Sequence, residues 1–239
     1  MTSPVISSVT DLNIASLNQK FETATPQEIL RWAIATFPTG LIQTSAFSLL
    51  VTVDMLYREL KPDPPIPVLF LDTLHHFPET LATVDRATMR YGLDLRIYRP
   101  QDVTNRAMFA VRYGEELWHH DVDRFHYLTK VEPLQRALQD LNVKAWITGR
   151  RRDQSSNRQD LPVLEATPEG RLKINPLANW TRKEVWGYIY RQNVVYNPLH
   201  DHGYTSIGDE PLTTPVQAGE DERAGRWRGS VKTECGIHV

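Results

Sequence analysis

Residues 40–60, GLIQTSAFSLLVTVDMLYREL, join a short apolar run to a helical stretch through a turn of small and hydroxylated residues. The pattern predicts a strand at Leu41–Gln43 and a helix at Leu49–Leu60. The alternation continues through strand candidates Val68–Leu71, Leu93–Tyr98 and Val143–Thr148 and helical stretches Pro78–Tyr91, Val103–Tyr113 and Val131–Leu141. Alternation at this spacing indicates an α/β fold, a mostly parallel twisted sheet with helices on both faces. Such sheets bind ligands at the carboxyl ends of their strands.

We predict one domain, residues 1–239, with three parts. Residues 1–39 are predicted to form N-terminal helices, the second opened by a capping box at Thr25–Glu28. Residues 40–204 are predicted to form the α/β core, with a hairpin at 162–174 and a helix capped at Thr181. Residues 205–239 have few apolar anchors and much Gly, Pro, Asp and Arg, which favours a mobile tail.

The composition excludes several classes of protein. The chain has 27 Lys plus Arg and 29 Asp plus Glu, and a net charge of −2 argues against a bulk nucleic-acid or membrane-surface binder. No apolar run approaches the ~20 residues of a membrane span, and Met1–Thr10 does not look like a signal peptide, so we expect a cytoplasmic protein. The single cysteine, Cys235, excludes an intrachain disulfide, a cysteine-only zinc site and a four-cysteine cluster within one chain.

The turn Thr44-Ser45-Ala46-Phe47-Ser48 is one candidate ligand site. Backbone N–H groups and hydroxyls between a strand and a helix can hold a phosphate, although an ordinary turn has the same composition. Asp72 and Thr73 end the next strand, where Asp72 would either contact a ribose or cap a helix.

The loop Gly149–Arg158 carries four arginines after an apolar strand. Guanidinium groups there either lie solvated at the surface or bind several phosphates, for which their planar fork is suited. We favour phosphate binding because the loop follows the strand at its carboxyl end.

Histidine pairs at 75–76 and 119–120, and His200 with His202, raise the possibility of a metal site. No regular set of His, Asp and Glu ligands accompanies them, so we expect no metal.

Cys235 lies between Lys232 and His238, both of which would lower the pKa of its thiol, while Glu234 would oppose them. An incidental surface cysteine is the alternative. Together with the arginine loop, a nucleophilic thiol carried by a mobile arm is the better interpretation.

Several short motifs follow one another along the chain in the order that one protein family shows. They are Leu71-Asp72-Thr73 with Phe77-Pro78-Glu79-Thr80, Lys130–Leu134, Gly149 with Arg151-Arg152, Asp153-Gln154-Ser155, Arg158–Pro162, Asn197-Pro198-Leu199, Gly203-Tyr204, Ser206-Ile207-Gly208 and Lys232–His238. From about Gly40 to its end the chain resembles the thioredoxin-dependent phosphoadenylyl-sulfate (PAPS) reductases of sulfate assimilation, with Ile237 where their Glu-Cys-Gly-Leu-His signature has leucine. The resemblance implies an adenine nucleotide alpha-hydrolase-like fold.

The chain departs from related families in three places. It lacks the Ser-Gly-Gly-x-Asp-Ser loop of ATP pyrophosphatases, which argues against ATP cleavage, and Leu74-His75-His76 replaces the usual Gly-Tyr-Leu. Sister enzymes acting on adenylyl sulfate (APS) bind a [4Fe–4S] cluster through two cysteine pairs. Those pairs align with Phe125-His126 and with Asp209 and Leu212, so we expect no iron–sulfur cluster and no bound cofactor. Cluster-free relatives typically use PAPS, yet 206–211 and 225–227 are closer to the cluster enzymes, so APS stays open as a substrate.

The resemblance implies a thiol mechanism with external reductant. Cys235 would attack the sulfur of PAPS to give an S-sulfocysteine, which reduced thioredoxin or glutaredoxin would resolve to sulfite. His238 is the second catalytic candidate, and the substrate-binding candidates are Thr44, Ser45, Ala46, Phe47, Ser48, Asp72, Thr73, Lys130, Gly149, Arg151, Arg152, Arg158, Arg223 and Arg226. Members of the family are commonly homodimers.

Two other functions remain as alternatives. An ATP-splitting enzyme of the same superfamily, such as a sulfate adenylyltransferase subunit, would need the missing glycine-rich loop. A nucleotide-binding redox sensor would pair two Cys235 thiols across a dimer without turning over PAPS.

Overall fold

The computed structural model describes residues 9–217, 219–228 and 236. Its α-helices are α1 (Ile14–Phe21), α2 (Pro26–Thr36), α3 (Val51–Asp54), α4 (Pro78–Tyr91), α5 (Arg106–Tyr113), α6 (Leu117–His120), α7 (Val122–His126), α8 (Glu132–Asp140) and α9 (Arg182–Gln192). Helix α3 continues as a π-helix over Met55–Leu60, and a second π-helix, Tyr127–Val131, joins α7 to α8.

The strands are β1 (Leu41–Thr44), β2 (Val68–Leu71), β3 (Leu95–Tyr98), β4 (Ala145–Ile147), β5 (Leu164–Ala166) and β6 (Leu172–Ile174). They form one sheet in the order β3-β2-β1-β4-β6-β5, parallel except for the antiparallel β5–β6 pair. The chain builds outward from β1 through β2 to β3, then returns to place β4 on the other side of β1. This reversal between β1 and β4 opens a crevice at the carboxyl ends of both strands.

Alternate residues of the central strands pack on opposite faces of the sheet, as the two-residue period of a strand requires. Leu41, Phe70 and Ile147 join the larger apolar cluster with residues of α2, α4 and α9. Their neighbours Ile42, Leu69 and Trp146 join a separate cluster with α8. Helices therefore cover both faces of a mostly parallel sheet, which confirms the predicted α/β class.

Local signals explain most helix boundaries. The Thr25 and Thr181 capping boxes both form, with Glu28 and Glu184 returning a hydrogen bond to the cap backbone. The helix expected from Val103 begins instead at Arg106, because the Asn105 side chain accepts a hydrogen bond from the Met108 N–H and caps it there.

The first part of the predicted tail packs on the core. Among residues 205–217 and 219–228, Ile207, Asp209 and Trp227 are each 5% exposed or less. The prediction that the chain is mobile from residue 205 onward remains a prediction. No helix in the described ranges is long and apolar enough to cross a membrane.

Candidate functional site

A cavity of about 250 Å³ lies at the crevice between β1 and β4. Its walls come from the turn after β1, the loop after β4, Lys130, residues 205–209, and residues 222, 223 and 226. The predicted binding residues that line it are Thr44, Ser45, Ala46, Ser48, Thr73, Lys130, Gly149, Arg151, Arg158, Arg223 and Arg226. Phe47, Asp72 and Arg152 are described residues that lie outside this lining.

The turn after β1 is held in place by contacts to strands β4 and β2 and to residue 197. The Thr44 hydroxyl donates to the Ile147 carbonyl of β4 at 2.9 Å, which ties the two strand ends together. Phe47 adopts φ 50° and packs its buried ring edge-on against Phe70, 5.2 Å between centroids. The Asn197 N–H donates to the Ser48 carbonyl at 2.9 Å, which holds the far end of the turn. The left-handed residue at Phe47 thus turns Ser45, Ala46 and Ser48 toward the cavity while its own ring anchors the core.

Ser48 also has a side-chain partner that the sequence pattern did not indicate. Its Oγ lies 2.8 Å from His200 Nε2, and the His200 ring packs edge-on against Trp186. Burial, and then the positive charge of Arg182, lower the pKa of His200 to about 4. His200 is therefore neutral near pH 7 and fixes the Ser48 hydroxyl by a hydrogen bond without adding charge.

Of the two predicted residues after β2, only Thr73 reaches the cavity. Asp72 accepts a hydrogen bond from the Leu74 N–H at 3.0 Å and forms an ion pair with Arg99 at 2.7 Å. Asp72 thus closes a local turn and pairs with Arg99; it does not cap α4, whose N-cap residue is Phe77.

The arginine loop divides between the cavity and the surface. Arg151 and Arg158 line the cavity, and Gln154 Oε1 joins them by accepting from the Arg151 N–H and from Arg158 Nη1. Arg152 turns away and forms a bidentate contact with Glu22, at 2.7 and 2.8 Å. Arg150, which sequence reasoning did not select, also lines the cavity and pairs with Glu165.

Lys130 reaches the cavity from the π-helix before α8 and pairs there with Asp209, a fully buried carboxylate. Burial by itself would raise the pKa of Asp209, but the adjacent Lys130 ammonium holds this pKa well below its ordinary value. His126 Nε2 lies 3.7 Å from the same carboxylate and accepts a hydrogen bond from Trp227 Nε1 at 3.3 Å.

The four positions aligned with the cluster cysteines of APS-type enzymes meet in space. His126 contacts Asp209, and Leu212 packs on the apolar cluster that contains Phe125. A polar pair and an apolar pair thus occupy the region where the resemblance places a cluster. Within the described residues, no group of three or more His, Cys, Asp or Glu side chains could hold a metal ion.

The adjacent histidines His75 and His76 lie in different surroundings. The buried His75 ring packs edge-on against Phe109, Trp118 and Phe125, with centroids 5.0–5.2 Å apart, and burial lowers its pKa. His76 lines the cavity, with its Nε2 3.0 Å from the Leu71 carbonyl.

The segment 219–228 brings two arginines to the cavity. Arg223 and Arg226 both lie against the buried Trp227 ring, 5.3 and 4.6 Å from its centroid, which holds guanidinium groups by cation–π attraction. The predicted catalytic residues Cys235 and His238 lie outside the described residues. Gly236 is described, with φ 82°, and a Cβ placed on it would lie 3.3 Å from Val131 Cγ2, beside Lys130 in the chain.

A doubly wound sheet with arginines and a lysine around a cavity at its switch point defines a nucleotide-binding α/β protein. Comparison with known proteins narrows this class. Residues 43–215 match the Phosphoadenosine phosphosulfate reductase domain. The chain belongs to the phosphoadenosine phosphosulfate reductase family.

Three relatives illustrate the match. The phosphoadenosine phosphosulfate reductase of Saccharomyces cerevisiae is 48% identical over 227 residues, 92% of this chain and 87% of the relative. An adenosine 5′-phosphosulfate reductase of Salinibacter ruber is 44% identical over 230 residues, 95% of this chain and 88% of the relative. The crystal structure of a phosphoadenylyl-sulfate reductase from Candida auris in complex with phosphate superposes with a TM-score of 0.78 at 43% identity, covering 89% of this chain and 100% of that one.

Proposed function

We propose that this protein reduces 3′-phosphoadenylyl sulfate to sulfite and adenosine 3′,5′-bisphosphate in assimilatory sulfate reduction. The observation that carries the proposal is the convergence of Lys130, Arg151, Arg158, Arg223 and Arg226 on one cavity at the sheet's switch point. A substrate with a phosphosulfate and a 3′-phosphate presents several anionic groups, and guanidinium forks suit them.

The binding step assigns different groups to different parts of the substrate. Thr44, Ser45, Ala46, Ser48 and Thr73 face the cavity and would hold the adenosine and its 5′-phosphate. Lys130, Arg223 and Arg226 would surround the phosphosulfate, where their charge stabilises the nucleotide as it leaves.

In the chemical step the Cys235 thiolate attacks the sulfur of the phosphosulfate. The S–S bond forms as the sulfur–oxygen bond to phosphate breaks, and the electron pair leaves on adenosine 3′,5′-bisphosphate. A thiolate of reduced thioredoxin or glutaredoxin then attacks Cys235 Sγ and expels sulfite, and the second thiol of that donor releases Cys235. Because the chain has one cysteine, the second thiol must come from outside it. We place the reaction in the cytoplasm, where thiols are kept reduced, and we propose a single domain that acts as a homodimer without a bound cofactor.

Reduction of adenylyl sulfate is the second candidate function, since the Salinibacter ruber relative carries that name at 44% identity. The two substrates differ by the 3′-phosphate, so the cavity's arginines decide between them.

Intact mass spectrometry of the reduced protein, incubated with PAPS or APS but without thioredoxin, tests the proposal. We expect one added sulfonate group with PAPS, formed faster than with APS, and none on a Cys235→Ser variant that still binds nucleotide. A faster reaction with APS would establish the second candidate. An unchanged mass with both substrates would contradict the reductase mechanism and favour a nucleotide-binding thiol sensor.

A further inference from the structure

Arg151 is the most deeply buried guanidinium at the cavity wall, with 2% of its side chain exposed. Two carboxylates already contact it. Its Nε donates to Asp153 Oδ1 and its Nη2 donates to Glu222 Oε2, each at 2.8 Å. A nucleotide phosphate that binds Arg151 must therefore share or replace an existing anion.

The two carboxylates are held differently. Asp153 belongs to the same loop as Arg151, and its second oxygen accepts a hydrogen bond from the Arg182 N–H at the start of α9. Glu222 comes from a segment 71 residues further along the chain and itself lines the cavity. Of the two, Glu222 is the one that a ligand entering the cavity meets.

The backbone around Glu222 is anchored independently of its carboxylate. The Thr205 hydroxyl donates to the Glu222 carbonyl, and the Ala224 N–H donates to the Asp221 carbonyl at 2.9 Å. The side chain can therefore rotate off Arg151 while the turn stays in place. Asp153 would still compensate the Arg151 charge at that moment.

We propose that Glu222 sets the affinity and selectivity of the cavity for phosphorylated nucleotides, because its carboxylate competes with a nucleotide phosphate for Arg151. This rests on the proposed function, in which the cavity binds such a nucleotide. The charged groups that face the Glu222 carboxylate are Arg151, Asp153 and Arg182. Burial raises the pKa of Glu222, against the pull of Arg151, so the carboxylate is a poorly solvated occupant of the site.

Competition between Glu222 and a phosphate predicts different changes in affinity for phosphorylated and unphosphorylated ligands. A ligand with a phosphate at Arg151 gains when the competing carboxylate is removed, whereas unphosphorylated adenosine gains nothing. A merely structural ion pair would give the opposite result, since its loss loosens the cavity for every ligand.

The test measures equilibrium binding of adenosine, adenosine 5′-phosphate and adenosine 3′,5′-bisphosphate by calorimetry to wild type, Glu222→Gln and Glu220→Gln. Glutamine keeps the size of the side chain and an oxygen that accepts from Arg151. Glu220→Gln is the matched control, because it removes the same charge two residues away, where Glu220 is exposed and pairs with Arg228 at 2.9 Å.

We expect Glu222→Gln to bind the bisphosphate about tenfold more tightly, the worth of one charged hydrogen bond. Its affinity for adenosine should change by less than about twofold, as should every affinity of Glu220→Gln. Glu222→Asp, which keeps the charge but shortens the reach, should bind the bisphosphate with intermediate affinity and serves as the second variant if the glutamine variant fails to fold.

Three outcomes would overturn the proposal. One is equal or weaker binding of the bisphosphate by Glu222→Gln, and another is the same tightening in Glu220→Gln, which would reduce the effect to net charge. The third is tightening for adenosine as well. If wild type binds none of the three ligands, that result contradicts the proposed function itself, and it is distinguishable from a failure of the Glu222 proposal, in which wild type binds the bisphosphate.

Discussion

Replacing Asp209 by asparagine should destabilise the fold strongly at neutral pH, because it leaves the Lys130 ammonium without its counter-charge. The Asp209 side chain is fully buried and that of Lys130 is 10% exposed. Removing one partner of a buried ion pair costs about 3–5 kcal/mol. An amide oxygen at position 209 can still accept from Lys130, so we expect the lower end, about 3 kcal/mol, or a fall in Tm of roughly 6–12 °C.

A double-mutant cycle isolates this pair. Lys130→Met alone leaves Asp209 uncompensated and should also destabilise, while Lys130→Met with Asp209→Leu replaces both charges by apolar groups and should fold with nearly wild-type stability. Urea unfolding followed by tryptophan fluorescence gives the free energy of each variant. A cost below about 1 kcal/mol for Asp209→Asn, or equal costs of Asp209→Leu in the wild-type and Lys130→Met backgrounds, would refute the pairing.

The pH dependence supplies an independent check. Because the pKa of Asp209 is lowered on folding, its stabilising contribution is fully present above the ordinary carboxyl pKa of 3.8 and is lost as pH falls through the lowered value. Asparagine resembles the protonated carboxyl, so the gap between wild type and Asp209→Asn should narrow as the pH is taken below about 4. A constant gap down to the acid limit of folding would show that the cost comes from packing.

Two further predictions concern residues around the cavity. Arg158→Ala should weaken binding of adenosine 3′,5′-bisphosphate by about tenfold or more. Arg152→Ala should leave that affinity unchanged but lower the free energy of unfolding by about 1 kcal/mol, because the ion pair with Glu22 is lost. Calorimetry and urea unfolding of both variants check this, and equal losses of affinity would contradict it. His200→Phe should flatten the pH dependence of stability between pH 6.5, the ordinary pKa of histidine, and about 4, the pKa of His200 in the folded protein. In that window only the unfolded wild-type chain binds a proton at His200, so wild-type stability rises with pH. The free energy of unfolding is measured at intervals across the window, and equal slopes for wild type and variant would contradict the expectation.

Local sequence signals predicted the sheet and helices because the controlling interactions are local. Strand β2 and helix α4 have the bounds that their apolar periodicity indicates, and the Thr25 and Thr181 boxes cap their helices within three residues. The turn after β1 was predicted as a candidate ligand site from its small and hydroxylated residues between a strand and a helix. The hydrogen bond between Ser48 and His200 joins residues 152 positions apart, and neither segment by itself indicates it.

The loop arginines were predicted to bind phosphates or to lie solvated at the surface, and Asp72 to contact a ribose or cap a helix; the fold adds an ion pair with a distant residue as a further possibility. Arg152 and Asp72 have the residue types of phosphate and ribose contacts, yet each is used by a structural partner, Glu22 and Arg99. Nothing within either motif distinguishes them from Arg151 or Thr73, because the difference lies in which partner the fold brings near. Low apolar content beyond residue 205 likewise suggested a mobile tail with few apolar anchors, although Trp227 is buried there at 3% exposure.

The same region supplies the negative charges that the sequence could not assign. Asp209 reaches Lys130 across 79 residues and Glu222 reaches Arg151 across 71, so each of these two cations has a carboxylate from beyond residue 205 beside it. The two pairs are not equivalent: both carboxylates line the cavity, but the Asp209 side chain is fully buried whereas 10% of the Glu222 side chain is exposed. A trianionic or tetra-anionic nucleotide therefore approaches one lysine whose counter-ion is fully buried and one arginine whose counter-ion competes with the phosphate. The Asp209 carboxylate fixes the Lys130 ammonium in position, so removing Asp209 should lower the stability of the fold. The Glu222 carboxylate competes with the phosphate for Arg151, so removing the Glu222 charge should strengthen nucleotide binding.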